Sequence, residues 1–149
     1  SFLVSNEKKQ KLTINIDHGI LSFESNPENT HYVEYLAKMN YFQAQIINEI
    51  KKDYDKALEN QNIAAMYAER SHDDKLLFFI IMEIADSWDE KGYLSIALME
   101  VDRAEEYAKL CHELSLFDRC AIRKAQILYQ LNRDVDARKV IMNIPKQLD

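Results

Sequence analysis

The sequence predicts an all-α fold, and two observations carry this prediction. The 149 residues include only two glycines and two prolines, too few for the hairpin turns and bulges of an all-β fold. A pattern of small residues also recurs along the chain at a fixed interval and with helical spacing. With 47% hydrophobic and 30% charged residues, the composition is that of one ordinary globular domain, which excludes disordered and collagen-like classes.

Alanine marks the repeat. Ala57, Ala97 and Ala137 follow one another at intervals of 40 residues. The positions seven residues after each anchor, two helical turns along the same face, hold Ala64, Ala104 and Ile144. The positions twelve and nine residues before the anchors hold Gln45, Ala85 and Ala125, and then Asn48, Trp88 and Leu128. Small residues on one face let two helices approach closely, so the pattern predicts a solenoid of stacked helix pairs.

This pattern resembles the tetratricopeptide repeat. The middle unit matches the family spacing best, through Ala85, Trp88, Gly92, Leu94, Ala97 and Ala104, and the first unit adds Tyr54, Ala57 and Ala64. The resemblance covers roughly residues 31 to 145, and the 40-residue period is similar to variants of the repeat in bacterial regulatory proteins. The departures from the family pattern are Gln45, Asn48, Lys124 and Asp134. The resemblance implies a right-handed superhelix of antiparallel helix hairpins.

The sequence predicts about seven helices in three units, at residues 31–72, 73–112 and 113–149, after a partial repeat and linker at 1–30. Six helices are expected near 31–52, 54–70, 74–91, 93–111, 115–131 and 134–144, and a seventh at 8–24. Gly92 and Asn132 can supply left-handed residues that end helices, and Pro145 is expected to stop the last one. Since the chain begins with Ser1, we interpret it as a fragment of a longer protein.

The charge and hydropathy of the sequence limit the classes of partner that the chain is expected to bind. The net charge of −6 disfavours direct binding of nucleic acid. Residues 119–149 carry a balance of +4 and residues 1–118 one of −10, a polarity that can steer a partner protein or a second copy into a homo-oligomer. The longest apolar run, residues 76–82, is far shorter than the about 20 residues of a membrane span. Cys111 and Cys120 lack metal-ligand or redox spacing, which favours the reducing cytoplasm.

By the resemblance, the first helix of each unit lines a concave groove. The family pattern implies the groove-facing residues Met39, Phe42, Ile46, Glu49, Phe79, Met82, Asp86, Asp89, Arg119, Ile122, Arg123, Gln126 and Tyr129. Phe42, Met82 and Ile122, spaced by 40 residues, either pack against neighbouring helices or form the apolar floor of this groove. With one acidic and one basic end, such a groove would suit a peptide or helix with apolar anchors and mixed charge.

The carboxylate clamp of the family is not expected here. Arg119 and Arg123 occupy its basic places in the last unit, but Asp86 stands where the second unit would need asparagine and would repel a carboxylate. Glycine-rich phosphate loops and nucleophile motifs are missing, so we expect neither an enzyme nor a cofactor. A remote alternative is a carboxylate-bridged di-metal site on two Glu-x-x-His motifs, Glu28 with His31 and Glu69 with His72.

The sequence therefore predicts a non-catalytic module that binds a protein or peptide, as a scaffold or as the sensory part of a signalling or regulatory protein. The alternative is a structural surface for self-assembly, on which the ends of the stack bind further repeats or another copy.

Overall fold

Helices make up almost all of the chain that the computed structural model describes, which is residues 30–148. The helices are α1 (Thr30–Ile46), which continues into a π-helical segment (Ile47–Lys51), α2 (Tyr54–Arg70), α3 (Asp74–Glu90), α4 (Leu94–Cys111), α5 (Leu114–Gln130) and α6 (Asp134–Leu148). No strand occurs within these residues, so the all-α prediction is confirmed. The helix predicted at 8–24 lies outside the described residues.

The helices follow a rhythm of 20 residues, half of the repeat seen in the sequence. Five helices begin at positions 54, 74, 94, 114 and 134. The backbone enters the left-handed region once before each of them, at Lys52, His72, Gly92, His112 and Asn132, with φ between 51° and 88°. Connections this short make successive helices antiparallel. Each 40-residue unit thus consists of two helix–turn halves of equal length.

Local chemistry sets the helix ends. Asp53 and Asp73 act as N-caps, since their carboxylates accept hydrogen bonds from the backbone N–H of Lys56 (3.1 Å) and Leu76 (3.0 Å). After α2, α3 and α5 the chain closes with the same bond of the Schellman type, Asp73 N to Ala68 O, Tyr93 N to Trp88 O and Arg133 N to Leu128 O, at 2.8–3.1 Å. The predicted left-handed roles of Gly92 and Asn132 are confirmed.

Each described helix packs mainly against the helices that precede and follow it. One ion pair agrees with the antiparallel order of α3 and α4. Lys75 Nζ, near the start of α3, lies 3.0 Å from Glu113 Oε1, just beyond the end of α4. The anchor alanines at 57, 97 and 137 are fully buried, as predicted. The largest part of the core belongs to α3, where Phe78, Ile80 and Ile81 have no exposed surface.

One predicted helix end is wrong. Helix α6 continues past Pro145 to Leu148, because a proline removes one N–H donor and bends a helix without always ending it. The helix predicted at 31–52 ends within one residue of its predicted end, at Lys51, but it is α-helical only to Ile46 and π-helical from Ile47.

Candidate functional site

The candidate site is a cavity of about 280 Å³ between α3 and α5. These helices, with α1, are the first helices of the three units, and we call them the first helices. The cavity is lined by Phe78, Phe79, Met82, Glu83 and Asp86 from α3 and by Arg119, Ile122, Arg123 and Gln126 from α5. Seven of these nine residues belong to the groove predicted from the sequence, whereas Phe78 and Glu83 were missed.

Helical spacing explains why these residues meet. On α3, positions 79, 82, 83 and 86 lie on one face, and on α5 the positions 40 residues later, 119, 122, 123 and 126, lie on the equivalent face. The same four places of two successive units therefore line the cavity together. The other predicted residues, Met39, Phe42, Ile46, Glu49, Asp89 and Tyr129, lie on the first helices and the π-helical segment but outside the cavity lining.

The apolar residues of this face are only partly covered. Phe42 and Ile122 expose 56% and 51% of their surface, so they are not explained by packing between helices. Met82 is half-buried and packs against the main core. The interpretation that these residues pack against neighbouring helices therefore holds in part for Met82 and not for Phe42 and Ile122.

Two arginines of α5 border the cavity in different ways. The Arg123 guanidinium contacts two carboxylates of α3, with Nε 2.8 Å from Asp86 Oδ1 and Nη2 2.5 Å from Asp89 Oδ2. Its charge is therefore balanced within the protein. The exposed Arg119 lies over the ring of Phe79, with Cζ 5.3 Å from the ring centroid, a cation–π geometry that holds the guanidinium beside the apolar floor.

Carboxylates crowd the α1 side of the cavity. Burial raises the pKa of Glu83, the nearby charges of Asp86 and Glu49 raise it further, and a hydrogen bond with Gln45 partly offsets them. Burial also raises the pKa of Asp86, against the lowering effect of Arg123. The charges of this region also act on Tyr41 of α1, whose pKa is about 12. Burial is the main cause, the charges of Glu83 and Asp86 raise the pKa further, and the charge of Arg119 lowers it.

The sequence did not predict Tyr41 and Glu83 as site residues, because the family pattern implies only the groove-facing positions. Tyr41 is half-buried beside the site, close enough for the charges of Glu83, Arg119 and Asp86 to act on its hydroxyl. A signal for Glu83 did exist in the sequence, because Glu83 stands 40 residues before Arg123, one of the predicted groove residues.

Other candidate chemistry finds limited support. Within residues 30–148, no three His, Cys, Asp or Glu side chains are grouped so that they could hold a metal ion, and Glu28 of the di-metal alternative lies outside this range. Burial raises the pKa of the Cys120 thiol to about 12, so this sulfur stays protonated near neutral pH. No helix in the described part of the chain has both the length and the apolarity needed to cross a bilayer.

The comparisons with known proteins do not place this chain in a family. No protein-family model matches the sequence, and no curated protein shows significant similarity to it.

Proposed function

We propose that this chain is a non-catalytic interaction module that binds a peptide or a helix of another protein along its first helices. The observation that carries the proposal is the pair of exposed apolar side chains, Phe42 and Ile122, at equivalent places of different units. By its resemblance to long-period tetratricopeptide repeats, the module would form a right-handed superhelix and serve a signalling or regulatory protein. The two free thiols, Cys111 and Cys120, fit a cytoplasmic location.

The size of the cavity supports a macromolecular partner. Sites for small molecules typically have volumes of roughly 300 to 1,000 Å³. The cavity between α3 and α5, at about 280 Å³, is at the lower limit of this range and is open at the surface, which suits one or two side chains of a longer ligand. Burying such side chains against Ile122 and Met82 would yield about 25 cal/mol for each Å² of apolar surface removed from water.

The packing of the helices supports the repeat architecture. Successive antiparallel helices, equal helix–turn lengths and buried alanines at 57, 97 and 137 are what a solenoid of hairpins requires. In such a stack the first helices share one side. An extended or helical segment could then contact α1, α3 and α5 at once.

A displayed library of random peptides can test the proposal. Peptides are selected on the wild-type chain and then measured on two variants, Ile122→Gln and Met99→Gln. Both remove an exposed apolar side chain and leave the charge unchanged, but Met99, which is 69% exposed, lies on α4 rather than on a first helix. We expect selected peptides to lose about tenfold in affinity on Ile122→Gln, the cost of one apolar anchor, and to bind Met99→Gln normally. The proposal is wrong if no peptide is enriched, or if the two variants weaken binding equally.

The described end of the stack favours self-assembly as a second candidate function. Ile141 of α6 is 44% exposed, whereas the equivalent residues of the earlier units, Gln61 and Val101, are fully buried, Gln61 in a hydrogen bond with Ser87 of the following helix and Val101 in the main core. A further repeat or a second copy of the chain would cover Ile141 in the same way. Light scattering at several concentrations should then show association that Ile141→Gln abolishes, and a concentration-independent monomer would exclude it.

A further inference from the structure

Helix α3 lies between two other first helices, α1 and α5. The charged residues at its α5 side differ from those at its α1 side. Towards α5, the Arg123 guanidinium contacts Asp89 of α3. Forty residues earlier, the same two places hold Glu83 on α3 and Glu49 on the π-helical segment. The hydrogen bond from Asn48 Nδ2 to Ser87 Oγ (3.2 Å) joins the π-helical segment to α3, and Glu49 is adjacent to Asn48 while Glu83 lies one turn before Ser87. In agreement with this placement, the charge of Glu49 contributes to raising the pKa of Glu83. A cation–carboxylate pair at one side thus corresponds to two carboxylates at the other.

The balance of charge along this face is acidic. Four carboxylates, those of Glu49, Glu83, Asp86 and Asp89, face two guanidinium groups, and Arg123 is bound between Asp86 and Asp89. The second cation, Arg119, is held over the Phe79 ring on the α5 side of the cavity. The region around Glu49 and Glu83 therefore retains a negative potential, which attracts cationic ligands.

Exposed apolar side chains border this acidic region. Phe42 and Ile46, one turn apart on α1, expose 56% and 55% of their surface, and Ile46 is one turn before Glu49. An apolar stripe alone would accept many amphipathic segments. The adjacent carboxylates select among them, because a segment with acidic flanks would bring like charges together.

We propose that the occupant of this face is a cationic amphipathic segment of a partner protein, with bulky apolar side chains flanked by lysine or arginine. Its apolar side chains contact Phe42, Ile46 and the cavity floor. One of its cations lies between Glu49 and Glu83, as Arg123 does between the carboxylates of α3. This inference rests on the proposed function and specifies the chemistry of its ligand.

Three synthetic twelve-residue amphipathic peptides with the same leucines, and with lysine, glutamine or glutamate at all other positions, test the inference by fluorescence anisotropy. We expect the lysine peptide to bind at least about tenfold more tightly than the glutamate peptide at low salt, with the glutamine peptide between them. The preference should shrink at high salt, since exposed charges are screened.

Two double variants of equal net charge separate a local effect from general attraction to an acidic protein. Glu49→Gln/Glu83→Gln removes the carboxylates of the site, and Glu69→Gln/Glu106→Gln removes two exposed carboxylates on α2 and α4. We expect the first to weaken the lysine peptide about fivefold and the second to leave it within about twofold.

Three results would overturn the inference: equal or tighter binding of the glutamate peptide, equal losses in the two double variants, or association of the chain with itself that Glu49→Gln/Glu83→Gln abolishes. The last result would make a second copy the occupant. If peptides of other charge bind in a manner that depends on Ile122, the cationic ligand is wrong while the groove function stands. If no peptide binding depends on Ile122, both are wrong.

Discussion

The two boundaries between successive units differ at three equivalent places, which hold polar residues at the first boundary and apolar residues at the second. At the first boundary, where α1 and α2 meet α3, the Ser87 hydroxyl donates to Gln61 Oε1 (3.0 Å) and accepts from Asn48 Nδ2 (3.2 Å). At the second boundary, where α3 and α4 meet α5, the residues 40 positions later are Ile127, Val101 and Trp88. Ser87 and Gln61 are as fully buried as Ile127 and Val101.

This difference shows that equivalent, fully buried places at the two boundaries hold either polar or apolar side chains. A buried polar side chain is tolerated when its partners are also polar and correctly placed, and it is costly when they are not. Asn48 departs from the family pattern, which has an aromatic residue there, and its amide is paired with Ser87, which in turn is paired with Gln61. The three polar residues therefore act as a set.

The largest expected effect lies at the second boundary. Ile127→Ala should lower the free energy of unfolding by about 3 kcal/mol, because it leaves a cavity in a fully buried place. Urea denaturation followed by circular dichroism measures the loss. Ile122→Ala on the same helix is the matched control and should change stability by less than about 0.5 kcal/mol, since Ile122 is 51% exposed. Equal losses in the two variants would mean that Ile127 does not hold this boundary.

At the first boundary a smaller loss is expected. Ser87→Ala deprives Gln61 Oε1 of its donor and Asn48 Nδ2 of its acceptor, which should cost about 2 kcal/mol. The exposed Ser95 of α4 provides the control, because Ser95→Ala breaks no bond across a boundary. A second variant, Gln61→Val with Ser87→Ala, should recover part of the loss, since it removes one of the orphaned groups. If Ser87→Ala is as stable as the wild type, the polar set contributes nothing to the boundary.

The smallest effect concerns charge and has the opposite sign. Burial, together with Asp86 and Glu49, raises the pKa of Glu83 above the ordinary 4.5, so the folded chain favours its neutral form. The resulting penalty is absent at low pH, where Glu83 is protonated in both states, and grows as the pH rises through the raised pKa. Glu83→Gln should therefore stabilise the chain at pH 7, by up to about 0.5 kcal/mol, and have no effect at pH 3.

Melting temperatures at pH 7 and pH 3 test this prediction, with Glu69→Gln as the control on the exposed surface of α2. A stabilisation of the same size at both pH values would show that charge repulsion is not the cause. A destabilisation at pH 7 would show that the hydrogen bond between Gln45 and Glu83 outweighs the repulsion.

Much of the fold could be predicted from the sequence because its signals are local. The left-handed residues at Gly92 and Asn132 were predicted, and α3 and α5 end within one residue of the predicted positions. The π-helical turn after Ile46 and the passage of α6 through Pro145 could not be predicted, since residue spacing does not distinguish π-helical from α-helical turns and a proline can either bend or end a helix.

The sequence predicted which side of each helix the site residues lie on, but not how far each of them is buried. Spacing placed Met82 and Ile122 on the same side of their helices, yet it could not tell that one packs against the core while the other is exposed. Lys124, a departure from the family pattern at a usually apolar place, lies 2.8 Å from Asp102 of α4. Predicting such an ion pair requires knowledge of which helices are neighbours.

The equal length of the helix–turn halves restricts how this architecture can be lengthened or shortened. Deleting 20 residues would leave the turns in phase but would exchange the first and second helices of every unit that follows. Deleting 40 residues, such as 73–112, would preserve both the phase of the turns and the order of the helices. A chain with this rhythm can therefore change length in steps of one helix without breaking its turns, but only an even number of steps keeps the first helices in place as first helices.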